Sequence, residues 1–251
     1  MLLNVNNLSV SFGGVHALNL DHFSLRDKEL RVIIGPNGAG KSTFLDIICG
    51  KTKADKGEIT FNDKSILGKT EVQIAEAGIG RKFQKPSVFP GLSVYDNLLL
   101  AAKMKKDIFS SLFFKSTPAL ADRIHGVAVK LSLTNVMYKL AGDLSHGQKQ
   151  WLEIAIVVLQ DPTLMLIDEP AAGMSDEETE KTGALLLELS KAHSIIVIEH
   201  DMKFVEQIAN ELVTVLVRGK RLMEGTFAEV KNDQRVIDCY LGRTNAQLET
   251  L

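Results

Sequence analysis

Apolar residues fall along this chain in two registers. Three short runs are continuous: residues 32–34 (Val-Ile-Ile), 164–167 (Leu-Met-Leu-Ile) and 195–198 (Ile-Ile-Val-Ile). An unbroken apolar run of this length suits a strand covered on both faces, as in a parallel sheet. The first thirty residues instead alternate, with Leu3 and Val5, then Leu8, Val10 and Phe12. That alternation predicts half-buried antiparallel strands, with Asn6 and Asn7 expected to form a turn between two of them. A further strand is predicted over residues 58–61, ahead of Asn62 and Asp63.

Helical spacing accounts for most of the remainder. It predicts helices over residues 41–49 and 70–77, the latter ending at a Gly78-Ile79-Gly80 break. Strand signals vanish between residues 91 and 141, where helical stretches lie around 94–105 and 119–131. The segment from Gln148 carries an apolar face at Leu152, Ile156 and Leu159, which predicts a buried helix ending before Asp161-Pro162. Helices over 176–191 and 202–210, a strand over 212–217, a turn at Gly219-Lys220 and polar helical segments complete the chain. Strands alternating with helices predict an α/β fold with a mostly parallel sheet, preceded by an antiparallel β portion and interrupted by a helical insert.

Each continuous run ends in polar residues of chemical interest. After residues 32–34 comes GPNGAGKST, residues 35–43. Glycines at 35, 38 and 40 allow successive backbone N–H groups to face one concave point, and the next helix adds its positive dipole end. Lys41 would reach the β and γ phosphates of a nucleotide, Ser42 would bind Mg²⁺, and Thr43 could donate to an inner phosphate oxygen. The second run stops at Asp168-Glu169 and the third at Glu199-His200. Parallel strands present their carboxyl ends on one edge, so these three punctuations are expected to converge there as an active site.

Composition narrows the class. A chain of 251 residues with 45% hydrophobic content can bury one large core or two modest ones. A formal net charge of -2 gives no general electrostatic reason to bind nucleic acid or an anionic membrane. Cys49 and Cys239 are the two cysteines, which excludes a disulfide scaffold and fits a reducing compartment; Cys49 is expected in the core rather than as a catalyst. No apolar stretch approaches the roughly 20 residues of a membrane span, and the start MLLNVNNLSV lacks the basic and long apolar regions of a signal peptide. A soluble, cytoplasmic protein is therefore expected.

Taken in order, the motifs resemble the ATP-binding subunit of an ABC transporter over nearly the whole chain. Residues 35–43 resemble that family's Walker A motif: Gly35, Pro36, Asn37, Gly38, Ala39, Gly40, Lys41, Ser42 and Thr43. LMLIDE, residues 164–169, resembles Walker B, which implies that Asp168 holds the Mg²⁺ shell and Glu169 polarises the attacking water. LSHGQ, residues 144–148, resembles the LSGGQ signature, with His146 in place of glycine. The resemblance implies that Ser145, Gly147 and Gln148 contact the nucleotide of a second subunit. Gln84 stands where the Q-loop glutamine would sense Mg²⁺ and the γ-phosphate, and His200 where the switch histidine would contact that phosphate. Phe12 resembles the adenine-stacking aromatic, although an aromatic ending an alternating strand also suits a core. The His146 ring is expected to point to solvent, the alternative being a modified signature. AGMS, residues 172–175, resembles a D-loop but ends in Ser175 where aspartate is common.

This resemblance implies one ABC ATP-binding domain over residues 1–251, with 1–90 and 160–251 forming the core and β portion and about 91–159 the helical part. It implies a head-to-tail dimer, with itself or a related subunit, that uses ATP and Mg²⁺. It also implies a peripheral position on the inner membrane face, with permease subunits docking around Phe83, Lys85, Pro86, Val88 and Phe89 and a solute-binding protein engaged indirectly. IFSSLFF, residues 108–114, is expected to pack within the helical part rather than face a membrane. FGGVHAL, DEPAAGM and YLGR resemble the subgroup importing branched-chain amino acids and related amides. LSHGQKQWLEIA, IEHDM and RVIDCYLGR, with Trp151, resemble the urea-importer branch in particular, which makes urea or short amides the expected solute and branched-chain amino acids the alternative. A soluble ABC-type ATPase acting on nucleic acid or ribosomes is the reading from another class. Tandem cassettes, coiled-coil insertions and basic extensions, usual in such proteins, do not occur in the sequence.

Overall fold

A computed structural model of the chain describes residues 1–82, 88–103 and 117–241. Strands β1 (Leu3–Phe12) and β2 (Val15–Leu25) form a hairpin, followed by β3 (Leu30–Ile34) and helix α1 (Lys41–Ile48). Next come β4 (Lys56–Phe61), β5 (Lys64–Ser65), α2 (Glu71–Glu76) and β6 (Ile79–Lys82). Three helices follow: α3 (Val94–Lys103), α4 (Pro118–Lys130) and α5 (His146–Leu159). The chain then alternates through β7 (Leu164–Asp168), α6 (Asp176–Ser190), β8 (Ser194–Ile198), α7 (Met202–Ile208) and β9 (Val213–Val217). It closes with β10 (Lys220–Gly225), α8 (Phe227–Asn232) and α9 (Gln234–Leu241).

The six-stranded sheet runs β10-β9-β3-β8-β7-β6, parallel from β9 to β6 and antiparallel only at β10. Its central strands β3, β8 and β7 are buried on both faces, as their apolar runs predict. Leu30, Val32 and Ile34 point to one side, with Met165, Ile167, Ile195 and Val197, where helices α5, α6 and α7 cover them. Ile33, Leu164, Leu166, Ile196 and Ile198 point to the other, against α1 and the antiparallel sheet β2-β1-β4-β5. There Phe23 of β2 meets Phe44 of α1 edge to face, with ring centres 5.0 Å apart. Each such fully buried side chain is worth about 1.5–3 kcal/mol relative to exposure.

Four local expectations are corrected. Asn6-Asn7 is not a turn: β1 runs through it, with Asn7 at φ 48° and a register shift against β4 between Asn6 and Ser9. Buried positions consequently pass from odd (Leu3, Val5) to even (Leu8, Val10) within one strand. A local backbone irregularity achieves this change of parity, which a regular pleat of period two forbids. Gly78-Ile79-Gly80 follows the end of α2 as expected, but the chain passes there into strand β6 rather than a loop; a Cβ on Gly80 would lie 2.9 Å from Val157 Cγ1, so only glycine lets this edge strand approach α5. Beyond Arg218 and Gly219, both with positive φ, the chain forms β10 instead of continuing into helix. Helix α5 starts at His146, two residues before the predicted Gln148. Among the described residues, no helix is long and apolar enough to cross a membrane.

Candidate functional site

Sheet register builds the site. Ile33 pairs with Ile198, and Ile198 with Asp168, so β3, β8 and β7 reach the same level before their loops leave the sheet. Backbone bonds continue this row: Glu199 N–H donates to Ile33 O at 3.2 Å and Glu169 N–H to Ile198 O at 3.0 Å. The glycine loop, the acidic pair and His200 therefore emerge side by side.

Residues 35–43 occupy the crossing from β3 to α1. A Cβ on Gly35 would lie 2.0 Å from Leu216 O, and one on Gly40, at φ 92°, would lie 2.5 Å from Ala17 O. The loop is thus pressed against β9 and β2 where no side chain fits, while Asn37, Gly38 and Ser42 face solvent. Helix α1 begins after Gly40 with no side-chain cap and no acidic residue in its first turn, which leaves its N–H groups and positive dipole end for an anion. Lys41 Nζ donates to Gly35 O at 2.6 Å and Pro36 O at 3.0 Å. Burial lowers the Lys41 ammonium from its ordinary pKa, opposed by the charges of Glu169 and Asp168. Tyr240, on α9, hydrogen-bonds the Gly35 backbone; partial burial pushes its hydroxyl up to about 12.

Asp168 ends β7 and is 2% exposed. By distance and angle neither carboxylate oxygen has a well-formed hydrogen bond among the described residues, although the Ser42 hydroxyl lies close enough to oppose the rise in its pKa. Arg81 Nη2 lies 3.9 Å from Oδ2. Burial raises the Asp168 pKa, and the Arg81 charge is the largest influence against it. An anion this buried calls for a cation. One carboxylate beside an exposed hydroxyl at Ser42 is a donor set that suits Mg²⁺, which completes its shell with water and substrate phosphate.

Glu169 leaves the strand at φ 48°, a left-handed conformation costing a glutamate on the order of 1–3 kcal/mol. Its Oε1 lies 3.5 Å from His200 Nδ1. His200 is held from behind: buried Glu199 accepts the backbone N–H of His200 at 3.0 Å and that of Ala171 at 3.2 Å. Glu199 was not singled out in the sequence, where it reads as punctuation after β8.

The signature stands on a different element. Ser145 caps α5, accepting from Gln148 N at 3.2 Å while Gln148 Oε1 accepts from Ser145 N at 3.1 Å. This reciprocal capping box, S-x-x-Q in the sequence, is the signal that would have set the helix start at His146 instead of the predicted Gln148. Gly147 is buried; a Cβ there would lie 2.4 Å from Glu178 Oε1 on α6. His146 is exposed, as expected, but its ring is not free: Nε2 bonds Ala172 O at 2.8 Å. Phe12 is 52% exposed next to the Gly13-Gly14 turn, which excludes the core alternative. Gln84, Phe83, Lys85, Pro86 and residues 108–114 lie outside the described residues. Among the described residues, Phe89, Leu100, Ala101, Ile156 and Val157 line an apolar groove with the Lys82–Glu153 ion pair, 3.4 Å, in its wall. Val88 packs against the core beside it.

A glycine loop in front of a strand-end acid, with a second acid and a histidine across from it, belongs to the nucleotide-binding ATPases. Within that class the chain belongs to the ABC transporter family, whose model matches residues 18–172. A second model, of the branched-chain amino acid ATP-binding cassette transporter, matches residues 220–244. The high-affinity branched-chain amino acid transport ATP-binding protein LivG of Salmonella typhimurium is 36% identical over 250 residues, covering 96% of this chain and 98% of its own length. BraF of Pseudomonas aeruginosa, described by the same function, is 34% identical over 253 residues, covering 96% and 98%. The fold is similar to a nucleotide-free ATP-binding cassette from an ABC transporter, at 29% identity and TM-score 0.84, covering 95% of this chain and 98% of that one. It is equally similar to an ABC cassette in its ADP conformation, also at TM-score 0.84, with 29% identity and coverage of 96% and 98%. The chain is thus an ABC-type ATPase subunit.

Proposed function

We propose that this protein hydrolyses ATP to drive an importer of branched-chain amino acids. The observation that carries this reading is the match of residues 220–244 to the branched-chain amino acid model, joined to near full-length similarity to LivG and BraF. These relatives favour branched-chain amino acids over the urea or short-amide solute expected from the sequence. ATPase activity stimulated by leucine, isoleucine or valine after reconstitution with the permease and solute-binding subunits tests the reading. Stimulation by urea alone would restore the other.

In the proposed chemistry, Lys41 exchanges a loop carbonyl for phosphate oxygens while the loop N–H groups and the α1 terminus hold the rest of the polyphosphate. Asp168, Ser42 and Gln84 would hold Mg²⁺, which when bound neutralises phosphate charge. Glu169 accepts a hydrogen bond from the attacking water and so orients it. His200, 3.5 Å from Glu169, would contact the γ-phosphate, and its backbone is fixed by Glu199. Phe12, exposed beside a hairpin tip, is available to stack on the base.

The signature would act on another subunit's nucleotide. Ser145 and Gly147 stand at the N-terminus of the 14-residue helix α5, whose positive end favours an anion. Two copies, or this chain and a related subunit, would each supply one nucleotide site and close the other. ATP then stabilises the closed pair through contacts made only there. The apolar groove beside Phe89 is the proposed seat for a permease segment, which places the protein on the inner membrane face.

A further inference from the structure

We propose that His146 is a positioning residue that joins the signature to the D-loop of the same subunit, so that the two segments move as one body. The substitution that departs from the family pattern makes the bond itself. Nε2 of His146 lies 2.8 Å from Ala172 O, and since a carbonyl can only accept, Nε2 carries the proton; the Gln150 amide, whose nitrogen lies 3.4 Å from the same atom while its oxygen has no partner among the described residues, then presents its oxygen to that N–H instead. Its ring also covers Gly173, where a Cβ would lie 3.2 Å from Nε2 and φ is +71°. A glycine at position 146 could make neither contact.

Two further levels of contact continue down the same helix pair. Gly147 leaves room for the Glu178 carboxylate, and that carboxylate accepts from Ser175 N at 3.1 Å, capping α6. One turn lower, Trp151 Nε1 donates to Thr182 Oγ1 at 2.9 Å, with Thr182 fully buried. Ser175, the other departure from the family pattern, thus sits on the same seam: it caps the helix that receives α5. Between His146 and Ser175 lies the D-loop, and its first residues follow Glu169 directly. Ala172 N–H donates to Glu169 O at 3.4 Å, so a displacement of α5 is passed through Ala172 to the turn that holds the water-orienting glutamate.

The functional half of this inference rests on the proposed closing of the signature over another subunit's nucleotide; the mechanical half does not. Two variants separate them. His146→Gly restores the family residue and removes the bond, whereas His146→Gln keeps an amide N–H at comparable reach. Amide hydrogen exchange on the isolated protein should be faster at residues 172–174 in His146→Gly, by roughly 3- to 10-fold for one lost hydrogen bond. His146→Gln should return it to within about twofold, whereas a control, His146→Ala, a stronger helix former with no side-chain N–H, should stay as fast as His146→Gly, which a mere loss of helix stability would not produce. Exchange in β3 and β8 should stay unchanged in all three. ATP turnover should then fall severalfold in His146→Gly with KM for ATP retained, and recover in His146→Gln. Unaltered exchange at 172–174, or a glutamine variant that behaves like glycine, would overturn the tie. Faster exchange with full turnover would overturn its role in coupling. If mixing Ser145→Ala with Lys41→Ala restores no activity, the shared-site reading fails while the exchange result stands.

Discussion

Glu199, 1% exposed at the end of β8, accepts the backbone N–H of Ala171 at 3.2 Å and so anchors the segment that follows Glu169. Burial raises its pKa above the ordinary carboxylate value, with the backbone N–H groups of Ala171 and His200 opposing. A raised folded-state pKa means that the folded protein binds the proton more tightly than the unfolded chain. The ionised carboxylate therefore costs stability as pH rises from the unfolded value, about 4.5, through the folded one. Glu199→Gln removes that cost. The difference in Tm between variant and parent should grow as pH rises through this window and then level off. A constant difference from about pH 4 to about pH 8 would exclude Glu199 as a titrating contributor. Asp168, shifted in the same direction, remains in both proteins and cancels.

Lys41→Ala should weaken nucleotide binding by roughly 10- to 100-fold, the range for losing a charge-assisted hydrogen bond worth about 1.5–3 kcal/mol. The loop itself should survive, because Gly35 and Gly40 are fixed by their approach to Leu216 and Ala17. Calorimetric titration with an ATP analogue reads this directly, and unchanged affinity would remove Lys41 from the phosphate site.

Glu169→Gln should retain nucleotide and lose about 10²- to 10⁴-fold in kcat, the usual contribution of a general base. With ATP and Mg²⁺ it should also elute as a dimer on size exclusion. Turnover at the parent rate would mean that another group orients the water.

Trp151→Phe keeps the aromatic body in the α5–α6 contact and deletes the N–H that Thr182 accepts. The expected cost is about 0.5–1.5 kcal/mol, with Tm falling by about 2–4 °C per kcal/mol for a chain of this size. A thermal melt showing no change would place the stabilisation in ring packing alone.

Continuous apolar runs made β3, β7 and β8 legible because burial on both faces leaves three or four consecutive positions apolar in each, whatever polar residue stands at the strand's edge. The glycine loop and Asp168-Glu169 followed from their places at the ends of those runs. What stayed hidden depended on distant partners. Gly80 looks like a breaker until Val157 is seen to need its missing Cβ. Asn7 looks like a turn until the change of buried parity along β1 is known. The exposure of His146 was legible but its bond was not, because the acceptor, Ala172 O, lies 26 residues away in sequence. Glu199 was passed over for the same reason, since Ala171 reaches it only after β7 and β8 pair.

The sheet order has a consequence for how this protein is made. β3 lies between β9 and β8, both of which are synthesised more than 150 residues later. The phosphate loop leaves the ribosome well before Leu216, which closes behind Gly35, and Ile198, which aligns Asp168 with Ile33. A nascent chain stalled before β8 would carry the full glycine motif on an unpaired apolar strand, able neither to organise phosphate nor to hide its edge. Hydrolytic competence is therefore withheld until β8 and β9 have been made, and a shorter product is marked by exposed β3 rather than by stray ATPase activity.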